Sequence, residues 1–183
     1  MRAVATLLVP YHLDEHLPPI AALVPDADVV MTESMPGDTA WARYGALHEL
    51  VAGHRPPGWP VPAGLREVEE SRLVLVGARD VDPPEVEYLR ESAIRQVGVG
   101  ELTGESVPDG PLLLHIDLDV VDAAALPGLR YPVTPGPSPA EVVAAARRVL
   151  ATGRVVALEV AATWFPIADP PAGRALVDEL LAS

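Results

Sequence analysis

The run Leu112-Leu113-Leu114-His115-Ile116 leads straight into Asp117-Leu118-Asp119, and Asp122 follows three residues later. An apolar run of this length reads as a strand buried on both faces, which restricts it to the interior of a layered α/β sheet. Successive side chains on a strand alternate faces, so Asp117 and Asp119 are expected to point the same way. Two like charges side by side and partly desolvated repel, and one should hold a proton unless a cation lies between them. Two roles fit the pair. Aspartate commonly caps turns and helices, and paired carboxylates are hard oxygen ligands for a divalent metal.

Along the rest of the chain, short apolar runs alternate with helical patterns. Strands are expected at Ala3–Val9, Asp28–Met31, Arg72–Val76, Ile94–Val97, Leu112–Ile116 and Val155–Val160. Helices are expected from Trp41 to about Val51, at Pro83–Glu91, which opens on proline, at Pro139–Leu150, and at Gly173–Leu181. Ser138 is placed to cap the third of these, Glu141 lies in its first turn and Arg147-Arg148 in its last. The segment His54–Gly64, rich in Pro and Gly, reads as a loop. Apolar strands alternating with helices predict one domain over residues 1–183: a three-layer, doubly wound, mostly parallel sheet with helices on both faces.

Ligands of such sheets bind beyond the carboxyl ends of the strands. After the first strand stand His12, Asp14, Glu15 and His16, which read either as a polar loop beginning a helix or as metal ligands. After the third stand Arg79, Asp80 and Asp82, with Arg79-Asp80 read as a local ion pair. After the fifth stand Asp117, Asp119 and Asp122. His115 shares a face with Asp117 and is either a core histidine or a donor to a metal-bound carboxylate. His48 and His54 carry no ligand pattern, and Trp41, Trp59 and Trp164 read as packing residues.

Composition excludes several classes. The chain has 183 residues, 49% of them hydrophobic, with no cysteine and a formal net charge of −13. Arginine supplies every basic side chain, so Schiff-base and phosphate-loop lysines are absent. Without cysteine there is no disulfide, thiolate metal site or thiol nucleophile. Strong acidity disfavours nucleic acid and anionic membranes as partners. No run is long and apolar enough to span a bilayer, and a cytoplasmic location is expected.

The string His115-Ile-Asp-Leu-Asp-Val-Val-Asp122, with Pro127, Gly128, Pro132, Pro135, Gly136 and the helix after Ser138, resembles the second metal-binding motif of the arginase, or ureohydrolase, superfamily. The segments Leu73–Asp82, Arg154–Glu159 and Leu7–Leu13 are similar to further strands of that family. The resemblance implies an arginase-like fold and metal-assisted hydrolysis of a guanidinium or amidine carbon by a water held between two Mn²⁺ ions. It implies that Asp117 and Asp119 are metal ligands, with His115 and Asp122 as candidates to hydrogen-bond around them.

The family's other metal motifs, a glycine-rich strand end and a D-A-H-x-D strand end, have no match here. A central segment of roughly 60–80 residues, at about 30 or more per βα unit, is missing by comparison. Asp122 is followed by Ala123 where the family usually has proline, and Ala162 stands near where it grips the guanidinium. The expectation is an arginase-like protein with an incomplete metal site, one weak Mn²⁺ site at most, acting as a binding or assembly partner. An alternative is a Mn-dependent hydrolase of a C–N bond in a guanidino or amidino compound, its missing ligands supplied by His12, Asp14 and His16 or by another subunit. An internally deleted copy whose only property is folding is a third reading. The expected partners are a second copy, because removing a central block uncovers apolar strand edges, a full-length relative, or a small guanidino-type ligand.

Overall fold

A computed structural model of the chain describes residues 68–129, 131–161 and 170–182, together with the backbone of four two-residue strands near the amino terminus. Those strands are β1 (Leu7–Leu8), β2 (Tyr11–His12), β3 (Glu15–His16) and β4 (Val29–Val30). β1 pairs parallel to β4, and β2 pairs antiparallel to β3. The backbone around His12 and His16 is therefore a small antiparallel ladder, not the start of a helix. Asp14, the expected helix Trp41–Val51, the loop His54–Gly64, Ala162, the three tryptophans and the side chains of His12 and His16 lie outside the described residues.

From residue 68 onward the expected alternation is met. β5 (Val74–Val76), α1 (Pro83–Glu91) and β6 (Arg95–Val97) form a strand–helix–strand unit whose strands pair in parallel, Val74 beside Arg95 and Val76 beside Val97. β7 (Leu112–Asp117), α2 (Pro139–Leu150) and β8 (Val155–Ala161) form a second. Its parallel register sets His115 against Glu159 and Asp117 against Ala161, with an irregularity between Leu112 and Leu113 that leaves Val156 72% exposed. α3 (Pro170–Leu181) closes the chain. It starts three residues before the expected Gly173, because the first turn of a helix has spare N–H groups and accepts prolines.

The local causes are visible. At α2, Ser138 Oγ accepts the Glu141 N–H at 3.3 Å and Glu141 Oε2 accepts the Ser138 N–H at 2.8 Å, a reciprocal cap. The inner face of α2 presents Val142, Val143, Ala145, Ala146 and Val149 at helical spacing, and all five are buried. Val142, Val143 and Ala146 join Ile116, Leu118, Val121, Leu126 and Leu129 with Leu176, Val177 and Leu180 of α3 in one core. Ala145 and Val149 meet Leu102 and Val155 in a second, against which Val76 and Val97 pack. That second core joins the two strand–helix–strand units through α2.

In a chain without lysine, arginine forks fasten the loops. Arg148 on α2 donates to the carbonyls of Leu102 and Val99 beyond β6. Arg154, ahead of β8, donates to those of Gly104 and Pro108. A planar fork reaches two carbonyls at once, which a single ammonium does less well. No described helix is long and apolar enough to cross a membrane.

Candidate metal site

The two aspartates do come together, but not by strand alternation. β7 ends at Asp117, and Leu118–Val120 form one 3₁₀ turn. That turn folds Asp119 back, so that its N–H donates to Asp117 Oδ1 at 3.3 Å. Leu118, between them, points the other way and is fully buried. What brings the pair together is a turn and not strand alternation.

The electrostatics are those of a crowded acidic pair. Burial pushes the Asp119 carboxyl up to about 6, and the charge of Asp117 and a hydrogen bond shared with it push the same way, while Arg79 and His115 pull it down. His115 faces Glu159 across the β7–β8 register, with Nδ1 3.2 Å from Glu159 Oε2. Its pKa is raised, chiefly by the hydrogen bond to Glu159 against the opposing effect of burial, and further by the charges of Glu159, Asp117 and Asp119. Glu159 is a carboxylate the sequence reading did not weigh. The signal was there, since Glu159 is the one charged residue in the otherwise apolar strand Val155–Ala161.

Asp122 has a different occupation from the one expected. Its Oδ1 accepts the Ala124 N–H at 2.8 Å and its Oδ2 the Gly136 N–H at 2.7 Å. Its own N–H donates to Pro137 O at 2.8 Å. It ties two loops together instead of attending Asp117 or Asp119. Arg79 also departs from the local ion pair with Asp80. Its guanidinium donates to five carbonyls: Val133 and Pro135 on one side, and Asp119, Val120 and Val121 on the other. Asp80 is exposed, with a positive φ of 53°.

An open cleft of about 420 Å³ is bounded by Gly77, Arg79, Val99, Gly100, Gly136 and Glu141. It sits beyond the carboxyl ends of β5 and β6, where this architecture places ligands, but Asp117 and Asp119 are not part of its wall. Among the described residues no group of three or more His, Cys, Asp or Glu side chains is arranged to hold a metal. Two adjacent carboxylates suit one hard divalent cation. They fall short of a two-cation centre, which takes roughly six ligands and matching negative charge.

The raised carboxyl has a stability consequence. Asp119 ionises near 3.8 when unfolded and near 6 when folded, so the fold loses stability as pH rises through that window and the penalty is complete above it. Asp119→Asn removes the penalty. In chelator-treated buffer the variant is expected to gain about 1–2 kcal/mol at pH 8, from about 1.4 kcal/mol per pK unit discounted for solvent screening at a half-buried group. Near pH 4 it should match the wild type. Urea denaturation at the two pH values checks this, and a loss at both would refute it.

The profile of the arginase family matches residues 53–176 of the 183. An N(omega)-hydroxy-L-arginine amidinohydrolase of Streptomyces lavendulae is 36% identical over 103 residues, covering 54% of this chain and 36% of that protein. An arginase of Eremothecium gossypii is 29% identical over 133 residues, covering 64% of this chain and 33% of that protein. The chain therefore spans about a third of the length of these relatives. Among solved structures, the arginase of Bacillus caldovelox superposes with a TM-score of 0.61 at 22% identity, over 74% of this chain and 52% of that one. At that identity the superposition speaks for the fold, and the profile match, over more than half of the residues, speaks for descent: this chain belongs to the arginase family.

Proposed function

We propose that this chain is an arginase-family protein with a partial metal site, that it does not by itself hydrolyse guanidino compounds, and that it serves as a binding or assembly partner. The observation that carries this reading is the ligand set. At the end of β7 two carboxylates converge, and among the described residues no third donor completes a cluster. Such a pair would hold one Mn²⁺ weakly, through Asp117 and Asp119. The ion would supply Lewis acidity to a bound water, less for one loosely held cation than for a bridged pair. The chain's own contribution is the anionic pair Asp117 and Asp119, complementary in charge to a guanidinium. The partner in this proposal is a second copy or a full-length relative. A cytoplasmic setting belongs to the same proposal, since a cysteine-free chain needs no oxidising compartment.

One observation favours a second reading. Glu159 stands across from His115 on the neighbouring strand, a further carboxylate on the strand that pairs with the one ending at Asp117. With ligands from His12, Asp14 and His16 or from another subunit, the site would be a Mn-dependent hydrolase of a C–N bond. A urea-release assay on protein saturated with Mn²⁺ separates the two, with arginine and agmatine as substrates and Asp119→Asn in parallel. No turnover is expected. Turnover that disappears in the variant would replace the first reading with the second.

A further inference from the structure

Asp119 is held by its backbone from two sides. Its N–H is taken by Asp117 Oδ1. Its carbonyl accepts from Arg79 Nη2 at 2.8 Å, as does that of Val120 at 2.8 Å, with Val121 at 3.3 Å. The other nitrogen of the fork, Nη1, donates to Pro135 O at 2.8 Å and Val133 O at 3.1 Å. The guanidinium lies flat against Gly136, where an added Cβ would fall 2.2 Å from Nη1 and 2.6 Å from Cζ. That contact leaves room only for glycine while the fork stays in place. The circle is closed by Asp122, whose carboxylate holds the Gly136 N–H at 2.7 Å.

We infer that Arg79 is the positioning residue of the Asp117/Asp119 cation site: its fork holds the turn that returns Asp119 to Asp117. The inference rests on the reading that this pair takes a divalent cation. Geometry and charge here predict opposite signs, which makes the role testable. A guanidinium beside a cation site repels the metal, so charge alone would make its removal tighten binding. Loss of the turn's geometry would weaken binding, because a hard cation needs both carboxylates within reach at once.

The experiment measures Mn²⁺ binding to the full chain by the electron paramagnetic resonance of the free ion, with circular dichroism to verify folding. Arg79→Ala is expected to weaken Mn²⁺ binding at least tenfold. Millimolar guanidinium chloride should restore it in part, by refilling the carbonyl cradle, and should restore nothing in Asp119→Asn. Leu176→Ala, in the α3 core, should lower the melting temperature and leave Mn²⁺ affinity within twofold of wild type. If Arg79→Ala does not fold, Arg79→Lys takes its place. It keeps the charge without a fork that spans both loops, and a several-fold weakening is expected. Unchanged or tighter binding in the folded Arg79 variant overturns the inference and leaves the cation site standing, as does equal weakening in Leu176→Ala. A wild-type chain that takes up no Mn²⁺ overturns the cation reading itself, and the inference with it.

Discussion

Replacing Leu118 with alanine is expected to cost about 3–5 kcal/mol, a large share of the stability of a domain this size. Leu118 is fully buried, and it joins Ile116 and Val121 to Val142, Val143 and Ala146 of α2 and to the α3 leucines. Deleting its branched end removes its transfer free energy and leaves a cavity in a core shared by three elements. The site is affected as well, because Leu118 anchors the turn between the two aspartates. Urea unfolding should show a lower midpoint with an unchanged slope. Val156→Thr is the control: that side chain is 72% exposed at the β7–β8 irregularity, and a change within about 0.5 kcal/mol is expected. Similar losses in both variants would mean that the core does not lie where the structure puts it.

The second large effect is expected at Asp122. Both of its carboxylate oxygens accept backbone amides, from Ala124 at 2.8 Å and Gly136 at 2.7 Å. Hydrogen bonds to a charged acceptor contribute about 1.5–3 kcal/mol each, and amides left unpaired add a desolvation cost. Partial exposure of the site lets water replace some of this, so Asp122→Ala should cost about 2–4 kcal/mol in urea denaturation. Asp122→Asn should recover only part, since its amide group offers one acceptor where two N–H groups point. A residue whose work was to attend a metal would behave otherwise, with little change in stability for the metal-free protein. A loss under about 0.5 kcal/mol would restore Asp122 to the metal site.

Those two residues also mark how far the sequence could be read. Elements governed by local rules were legible. Pro83–Glu91 and Pro139–Leu150 have the expected bounds, because proline at the first turn and a capping pair, Asp82 with Glu85 and Ser138 with Glu141, are written within four residues of each start. β7 extends one residue past its apolar run, to Asp117, and β8 one past Val160. The pairing of Asp117 with Asp119 was legible as a fact and misread as to cause, since alternation continues only while a strand does. The role of Arg79 was not legible. Its partners lie 40 to 56 residues away and are main-chain carbonyls, which every residue possesses and no residue type announces. The work of Asp122 was hidden likewise: Gly136 stands 14 residues on, and only the folded loop brings its amide back.

The bridging by Arg79 sets a lower limit on how small a piece of this protein can carry the acidic pair in its native arrangement. β7 and β8 hold His115, Asp117 and Glu159 and pair over six residues, and the turn after β7 holds Asp119, so a fragment built from these and α2 contains the acidic pair and Glu159. It lacks the cross-link. The fork that holds Asp119, Val120 and Val121 comes from the loop after β5, and its other arm reaches Pro135. A self-sufficient unit must therefore begin early enough to include β5 and its partner β6 and run beyond Gly136. Dissection or grafting of the motif onto another sheet has to carry both strand–helix–strand units as one block.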